Sequence, residues 1–173
     1  ALDFLPREIA TFRTRHPMVS FEVRVLDHEQ AMTALAAYEV DLVVVFRPPF
    51  LPYFQPPMSL EQRVVAVMST EHPLATRLTV RLRDCANYPV AMPERSLGGR
   101  QLLDQVVARS GLTFKLAAES NSFEFLRGLV MHANLISFQI AIGTMPQNNK
   151  LGLGARDIDD RDVPRANLVL GQL

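Results

Sequence analysis

The side chains in this sequence that could do chemistry are four histidines, one cysteine, and the serines, aspartates and arginines scattered between them. His16, His28, His72 and His132 include no pair at i, i+4 spacing, and no CxxC accompanies them, so the pattern of a zinc site is missing. Ordinary surface and turn histidines are expected, and no metal. Ser96 lies in ERSLGG, without the first glycine of the GxSxG elbow that presents a nucleophile, and no His or Asp is spaced to serve it. GLG at 152–154 follows a loop and opens no clear helix, which argues for a flexible turn and not a dinucleotide fingerprint. No catalytic residue and no cofactor are expected, and the chain does not read as an enzyme. The charged run ARDIDDRD reads as a solvated face.

Anion binding is the chemistry that remains. Helices open directly after extended segments at Asp27-His28, at residues 96–100 and at residues 120–122. A helix N-terminus presents unpaired amides and partial positive charge, which suits a carboxylate. Plain capping is the competing reading at each. If the three starts converge on one cleft, ligand binding gains weight, because open α/β sheets bind ligands beyond the carboxyl ends of their strands. Arg47, Arg95 and Arg100 could add charge for an anionic effector, against the alternative that loop arginines are simply solvated.

The elements that would carry these residues follow from the spacing of apolar side chains. Leu5, Ile9 and Phe12 predict a helix ended by His16-Pro17. Phe21, Val23 and Val25 alternate with polar residues, which predicts a strand with one buried face. Asp27 and Gln30 form a capping box for a helix carrying Met32, Leu35 and Ala36, and residues 41–46 then read as a strand buried on both faces, completing a βαβ unit. Residues 47–58 hold five of the twelve prolines and are expected to be loop. Residues 64–69 read as a strand stopped by His72-Pro73. Beyond it come a short helix near Arg83, a strand PVAM, a helix from about Arg100 to Ser110 stopped by Gly111, and a strand FKLAAE. Asn121 with Glu124 suggests a second capping box. Residues 134–143 read as buried and extended, residues 146–154 as loop, and ANLVLGQL as a last strand. The alternation argues for α/β with mostly parallel pairing.

Composition narrows the partners. A chain of 173 residues with 48% hydrophobic and 21% charged residues is long enough for one ordinary domain or two small lobes. Eighteen basic against eighteen acidic residues leave no excess charge for a phosphate backbone, so direct DNA binding by this segment is not expected. One cysteine permits no internal disulfide and fits a reducing compartment. No apolar run reaches the roughly 18 residues of a membrane span. The start at Ala1 without Met reads as part of a longer protein.

On LPREIATFRTRHPMVSFEVRV, ALAAYEVDLVVV, VVAVMSTEHPLA, DCANYPVAM and SLGGRQLLDQVVARSGL, in this order and spacing, the chain resembles the effector-binding domain of LysR-type transcriptional regulators. It departs from that family's pattern at Asn134, where a glycine pair is usual. The resemblance implies an α/β fold of two Rossmann-like lobes joined by two crossover strands, like type 2 periplasmic binding proteins. Residues 1–72 would form lobe I, 73–166 lobe II and 167–173 the returning strand, with the last helix of lobe I beyond residue 173. It also implies a cytoplasmic regulator, a homodimer or homotetramer that meets DNA only through an N-terminal winged helix-turn-helix absent from this sequence. A small-molecule effector, a carboxylate among the candidates, would lie between the lobes and shift their arrangement. Carried over position by position, its contacts fall at Leu2, Asp3, Phe4 and Leu5, at Asp27 and His28, at Arg95, Ser96 and Leu97, and at Ser120, Asn121 and Ser122. His28 stands where many members have Thr, which suggests a pH-sensitive contact. A periplasmic-type solute-binding protein of a transporter is the alternative, since it uses the same hinged cleft.

Overall fold

A computed structural model describes residues 4–48, 55–144 and 152–172. The smaller sheet has the order β1-β9-β2, where β1 is Val43–Phe46, β2 Gln55–Gln62 and β9 Ala166–Gln172. Helices α1 (Phe4–Arg15) and α2 (His28–Ala36) precede it. The capping box at α2 is complete: Gln30 N donates to Asp27 Oδ1 at 2.8 Å, and Gln30 Oε1 accepts from Asp27 N at 3.3 Å. Met32 and Leu35 turn inward onto Val43 and Val45, whereas Ala36 is exposed.

Four expectations fail in this lobe. Residues 21–25 join no sheet among the described residues, and Phe21, Val23 and Val25 are 44%, 56% and 94% exposed. Alternation supplies a strand's period, but only a neighbour's ladder makes the strand, and no described strand runs beside this one. The expected βαβ unit is therefore not closed, and α1 buries none of its residues. Nor is β1 buried on both faces, since Val44 is 45% exposed. The proline-rich stretch errs the other way. Gln55–Gln62 is a strand on one flank of β9, with its register broken between Gln55 and Met58, which is where Pro56 and Pro57 sit. An edge strand tolerates prolines because the missing N–H need not serve a second neighbour.

Six strands form the larger sheet in the order β4-β8-β3-β7-β5-β6. They are β3 Val64–Ser69, β4 Thr79–Val80, β5 Pro89–Pro93, β6 Lys115–Ser120, β7 Ile136–Ile140 and β8 Leu153–Ile158. Helices α3 (Leu82–Cys85), α4 (Gly98–Ser110) and α5 (Phe123–His132) accompany it. The chain passes from β2 to β3 across Arg63, so Val64–Ser69 pairs with β7 and β8 in the larger sheet. It returns after β8 to form β9 between β1 and β2. These two crossing strands run against their neighbours, and every pairing of β3 and β9 is antiparallel, so the pairing is mixed and not mostly parallel. β5 remains parallel to both β6 and β7.

The core of the larger lobe joins Val64, Met68, Leu82, Val90, Leu103, Ile136 and Phe138. Phe46 of β1 belongs to the same cluster, so a lobe I side chain is packed in the lobe II core. The run ARDIDDRD is not the solvated face expected. Gly154 and Ala155 pair within central β8, and Arg156 Nε donates to Ala75 O at 2.8 Å. Asp162 accepts from Arg81 Nε and Nη2 at 2.8 and 2.6 Å and from Leu82 N at 2.8 Å, tying the chain to the start of α3. Gly152 keeps a turn's conformation at φ 69°, but Gly154 lies in the strand.

Candidate functional site

Parallel strands β5 and β6 end together, and a helix comes after each. Pro93 and Ser120 are their last paired positions, and Glu94 N donates to Ser120 O at 3.0 Å. Residues 94–97 turn, with Leu97 N on Glu94 O at 3.1 Å, and α4 begins at Gly98. Its N-cap is Leu97, which has no side-chain cap, so Ser96 is not the capping group and the first-turn amides of this 13-residue helix keep no side-chain acceptor. Beside it, Ser120 Oγ accepts from Ser122 N at 3.1 Å and Ser122 Oγ accepts from Phe125 N at 3.1 Å. Ser122 is thus the N-cap of α5, one residue beyond the capping box expected at Asn121. Both hydroxyls spend an acceptor lone pair locally and keep their protons for an outside acceptor. Arg95, Ser96, Leu97, Ser120, Asn121 and Ser122 therefore share one end of the sheet, beside two helix N-termini.

Lobe I meets this end through residues that spacing alone does not point to. A Cβ placed on Gly98 would fall 2.5 Å from Phe46 O, so only glycine permits the approach. Arg47 adopts φ 55°, donates its N–H to Asn167 O at 2.8 Å, and reaches Gln105 of α4 with Nη2 at 3.3 Å. Phe46, Arg47 and Gly98 form one contact between lobes. Nothing local in the sequence signals it, because the partners are some fifty positions apart.

The remaining expected residues lie on α1 and at the start of α2 in lobe I, or outside the described chain. Leu2 and Asp3 are outside it, and Phe4 and Leu5 are half-buried at the start of α1. Asp27 and His28 open α2, and among the described residues no hydrogen bond ties them to residues 95–97 or 120–122. Asp27 instead borders an open groove with Arg24, Gln30, Thr33 and Glu39. Burial holds the His28 imidazole below its usual pKa, with the charge of Asp27 working the other way.

The arginines separate sharply. Arg100, 4% exposed, donates to Asp104 at 2.8 Å, to Glu119 at 2.7 Å and to Pro93 O at 2.7 Å. Burial opposes its charge, but the two carboxylates more than offset that and raise its pKa. Three of its five N–H donors are committed to the protein, which makes it a brace between α4 and the β5–β6 end. Arg95 is exposed and free to face solvent.

Nucleophiles are poorly provided. Burial pushes the Cys85 thiol up to about 12, so no thiolate forms near neutral pH. His72 is buried on the ring of Tyr88, with Nδ1 accepting from Leu74 N at 3.1 Å. Among the described residues no three His, Cys, Asp or Glu side chains could hold a metal ion, and no helix is long and apolar enough to cross a membrane.

Comparison with known proteins identifies the family and the fold. The profile described as "LysR substrate binding domain" matches residues 1–170. The HTH-type transcriptional activator CmpR of Synechocystis sp. is 26% identical over 127 residues, which cover 73% of this chain and 42% of that protein. The chain spans about half the length of the curated relatives it matches. Among solved structures, the regulatory domain of Synechocystis PCC6803 CcmR in complex with 2-PG superposes with a TM-score of 0.82 at 22% identity, covering 98% of this chain and 81% of that one. The effector-binding domain of QuiR in complex with shikimate gives 0.75 at 19% identity, covering 99% and 81%. These likenesses establish the two-lobed, type 2 periplasmic-binding-protein-like fold. The transporter alternative is not favoured, because the relatives are transcriptional regulators.

Proposed function

This chain belongs to the LysR substrate-binding domain family, and we propose that it is the ligand-sensing domain of a transcriptional regulator. A small-molecule effector binds between the lobes, favours one lobe arrangement over the other, and so alters how a winged helix-turn-helix elsewhere in the full-length protein holds DNA. The observation that carries this reading is the uncapped start of α4 beside the α5 cap, both at the carboxyl ends of β5 and β6, with Phe46 of lobe I lying against Gly98 at the α4 start. A ligand there touches both lobes, which is the condition for it to discriminate between their arrangements.

The chemistry favours an anionic effector, a carboxylate in the first instance, held by first-turn amides of α4, the hydroxyls of Ser96, Ser120 and Ser122, and Arg95. Leu97 and Asn121 complete that wall. Residues 2–5, Asp27 and His28 would contribute from lobe I, His28 with an affinity that varies near neutral pH. The lobe limits are better drawn at Arg63 and near residue 165 than at 72 and 166. Assembly as a homodimer or homotetramer in the cytoplasm, with DNA contacts confined to the helix-turn-helix, completes the reading.

The test is a thermal-shift screen of small organic acids, since a ligand that binds only the folded chain stabilises it by mass action. At a hundred times Kd the gain is about 2.7 kcal/mol, or roughly 5–10 °C for a chain of this size. A hit that loses its effect in Ser122→Ala and Arg95→Ala supports the site. Hits whose effect survives both substitutions contradict it.

A further inference from the structure

Arg127 of α5 has 8% of its surface exposed, and among the described residues only Arg100 is a more deeply buried arginine. The two are compensated differently. Arg100 has Asp104 and Glu119 at 2.8 and 2.7 Å. Arg127 Nη2 donates to neutral partners, Gln139 Oε1 at 3.1 Å and Gly143 O, and no carboxylate among the described residues pairs with it. The adjoining sequence 145–151, MPQNNKL, contains no acidic residue either. Burial lowers the pKa of this guanidinium, and the charge of Glu124 one turn back offsets only part of that. Burying a charge without a countercharge is costly.

A cavity of about 10 Å³, open on one side, adjoins the group, bounded by Val67, Arg127, Gln139, Thr144 and Gly154; it admits a water-sized body as it stands, and a halide requires its lining to yield slightly. Its polar side chains are Arg127, Gln139 and Thr144. Because Gln139 Oε1 accepts from Arg127, its amide nitrogen is left as a further donor. Thr144 gives its hydroxyl proton to Ala141 O at 2.6 Å and adds none. Gln139 belongs to β7, whose buried residues alternate between Ile136 and Phe138 on one face and Ser137 and Gln139 on the other. This polar face is built into the sheet and is not a surface accident.

We infer that lobe II carries a buried site for one small monovalent anion of halide size, held by the Arg127 guanidinium and the Gln139 amide beneath α5. The anion supplies the countercharge that the protein's own carboxylates do not, and pins α5 to β7. The site is separate from the effector cleft, and its test does not depend on any effector.

The full chain is melted in sodium chloride and sodium bromide against sodium gluconate at equal ionic strength, so that general screening cancels. The expected result is a halide-specific rise of about 3–6 °C for each tenfold increase above Kd, absent in Arg127→Met and weakened in Gln139→Leu. Crystals of the unaltered chain grown in bromide should show anomalous density between Arg127 and Gln139, which decides the matter even where the variants fail to fold. Identical melting in halide and gluconate, or bromide crystals with only a water in the cavity, would overturn the inference.

Discussion

Replacing Gly98 by alanine tests the lobe contact with a single methyl group. The added Cβ would lie 2.5 Å from Phe46 O, whereas a carbon and a carbonyl oxygen rest at about 3.3 Å at their closest. The difference, 3.3 minus 2.5, is roughly 0.8 Å that the backbone must yield. The carbonyl cannot swing away easily, because Phe46 is anchored in the lobe II core and Arg47 N is tied to Asn167 O at 2.8 Å. Overpacking of this kind costs about 1–3 kcal/mol, and the better helix propensity of alanine returns less than about 1 kcal/mol at a first helical position. We expect a net loss of about 1–2 kcal/mol, and a Tm lower by about 2–8 °C. Gly99 is the control: its added Cβ would meet only Ile140 Cγ2 at 3.7 Å, an ordinary contact. Gly99→Ala should therefore be neutral or slightly stabilising. Calorimetry on both variants reads the difference, and solution scattering should show Gly98→Ala slightly more open. If Gly98→Ala melts with or above the parent, the contact between Phe46 and Gly98 does not exist in solution.

Other substitutions probe single elements. Arg100→Met removes three hydrogen bonds, leaves Pro93 O without its donor, and should cost about 2–4 kcal/mol in denaturant unfolding. Ser122→Ala deletes the α5 cap and should cost about 1 kcal/mol, whereas Asn121→Ala should stay within about 0.5 kcal/mol; the reverse order would restore the capping box at Asn121. His72 has its pKa lowered by burial, so the folded protein favours the neutral ring. The unfolded chain then binds the extra proton first, and this part of the stability is complete above the unfolded pKa of 6.5 and lost as pH falls below it. His72→Asn, which keeps a capping acceptor but does not titrate, should flatten that acid slope in a series of denaturation midpoints; an unchanged slope would assign it to other groups.

The sequence is legible where the interaction is itself local. Asp27 with Gln30, Gly111 after α4 and the apolar run of β7 all involve residues within a turn or a strand of each other. The second capping box slips by one residue because Ser120 offers a competing acceptor to Ser122 N, a choice that spacing does not reveal. Residues 21–25 and Gln55–Gln62 depart from expectation in opposite senses for one reason. Strand formation depends on a neighbour, and β9, which makes Gln55–Gln62 a strand despite its prolines, lies over a hundred positions away. The charged run 155–162 resembles a solvated face only until its ion pairs, which reach back to Arg63 and Arg81, are in view. At the site, the serines near 96 and 120–122 are visible as helix starts, but Phe46 with Gly98 is not. Arg100 reads as a possible ligand group in the sequence because its carboxylate partners cannot be seen without the fold.

The most direct measurement is a map of backbone amide shifts as the best-stabilising organic acid is titrated to saturation. An effector held between the lobes should place the largest changes at residues 96–99, 120–123 and 46–47, on both sides of the lobe contact. Changes confined to the groove around Arg24, Asp27 and Thr33, with residues 96–99 and 120–123 unmoved, would contradict it.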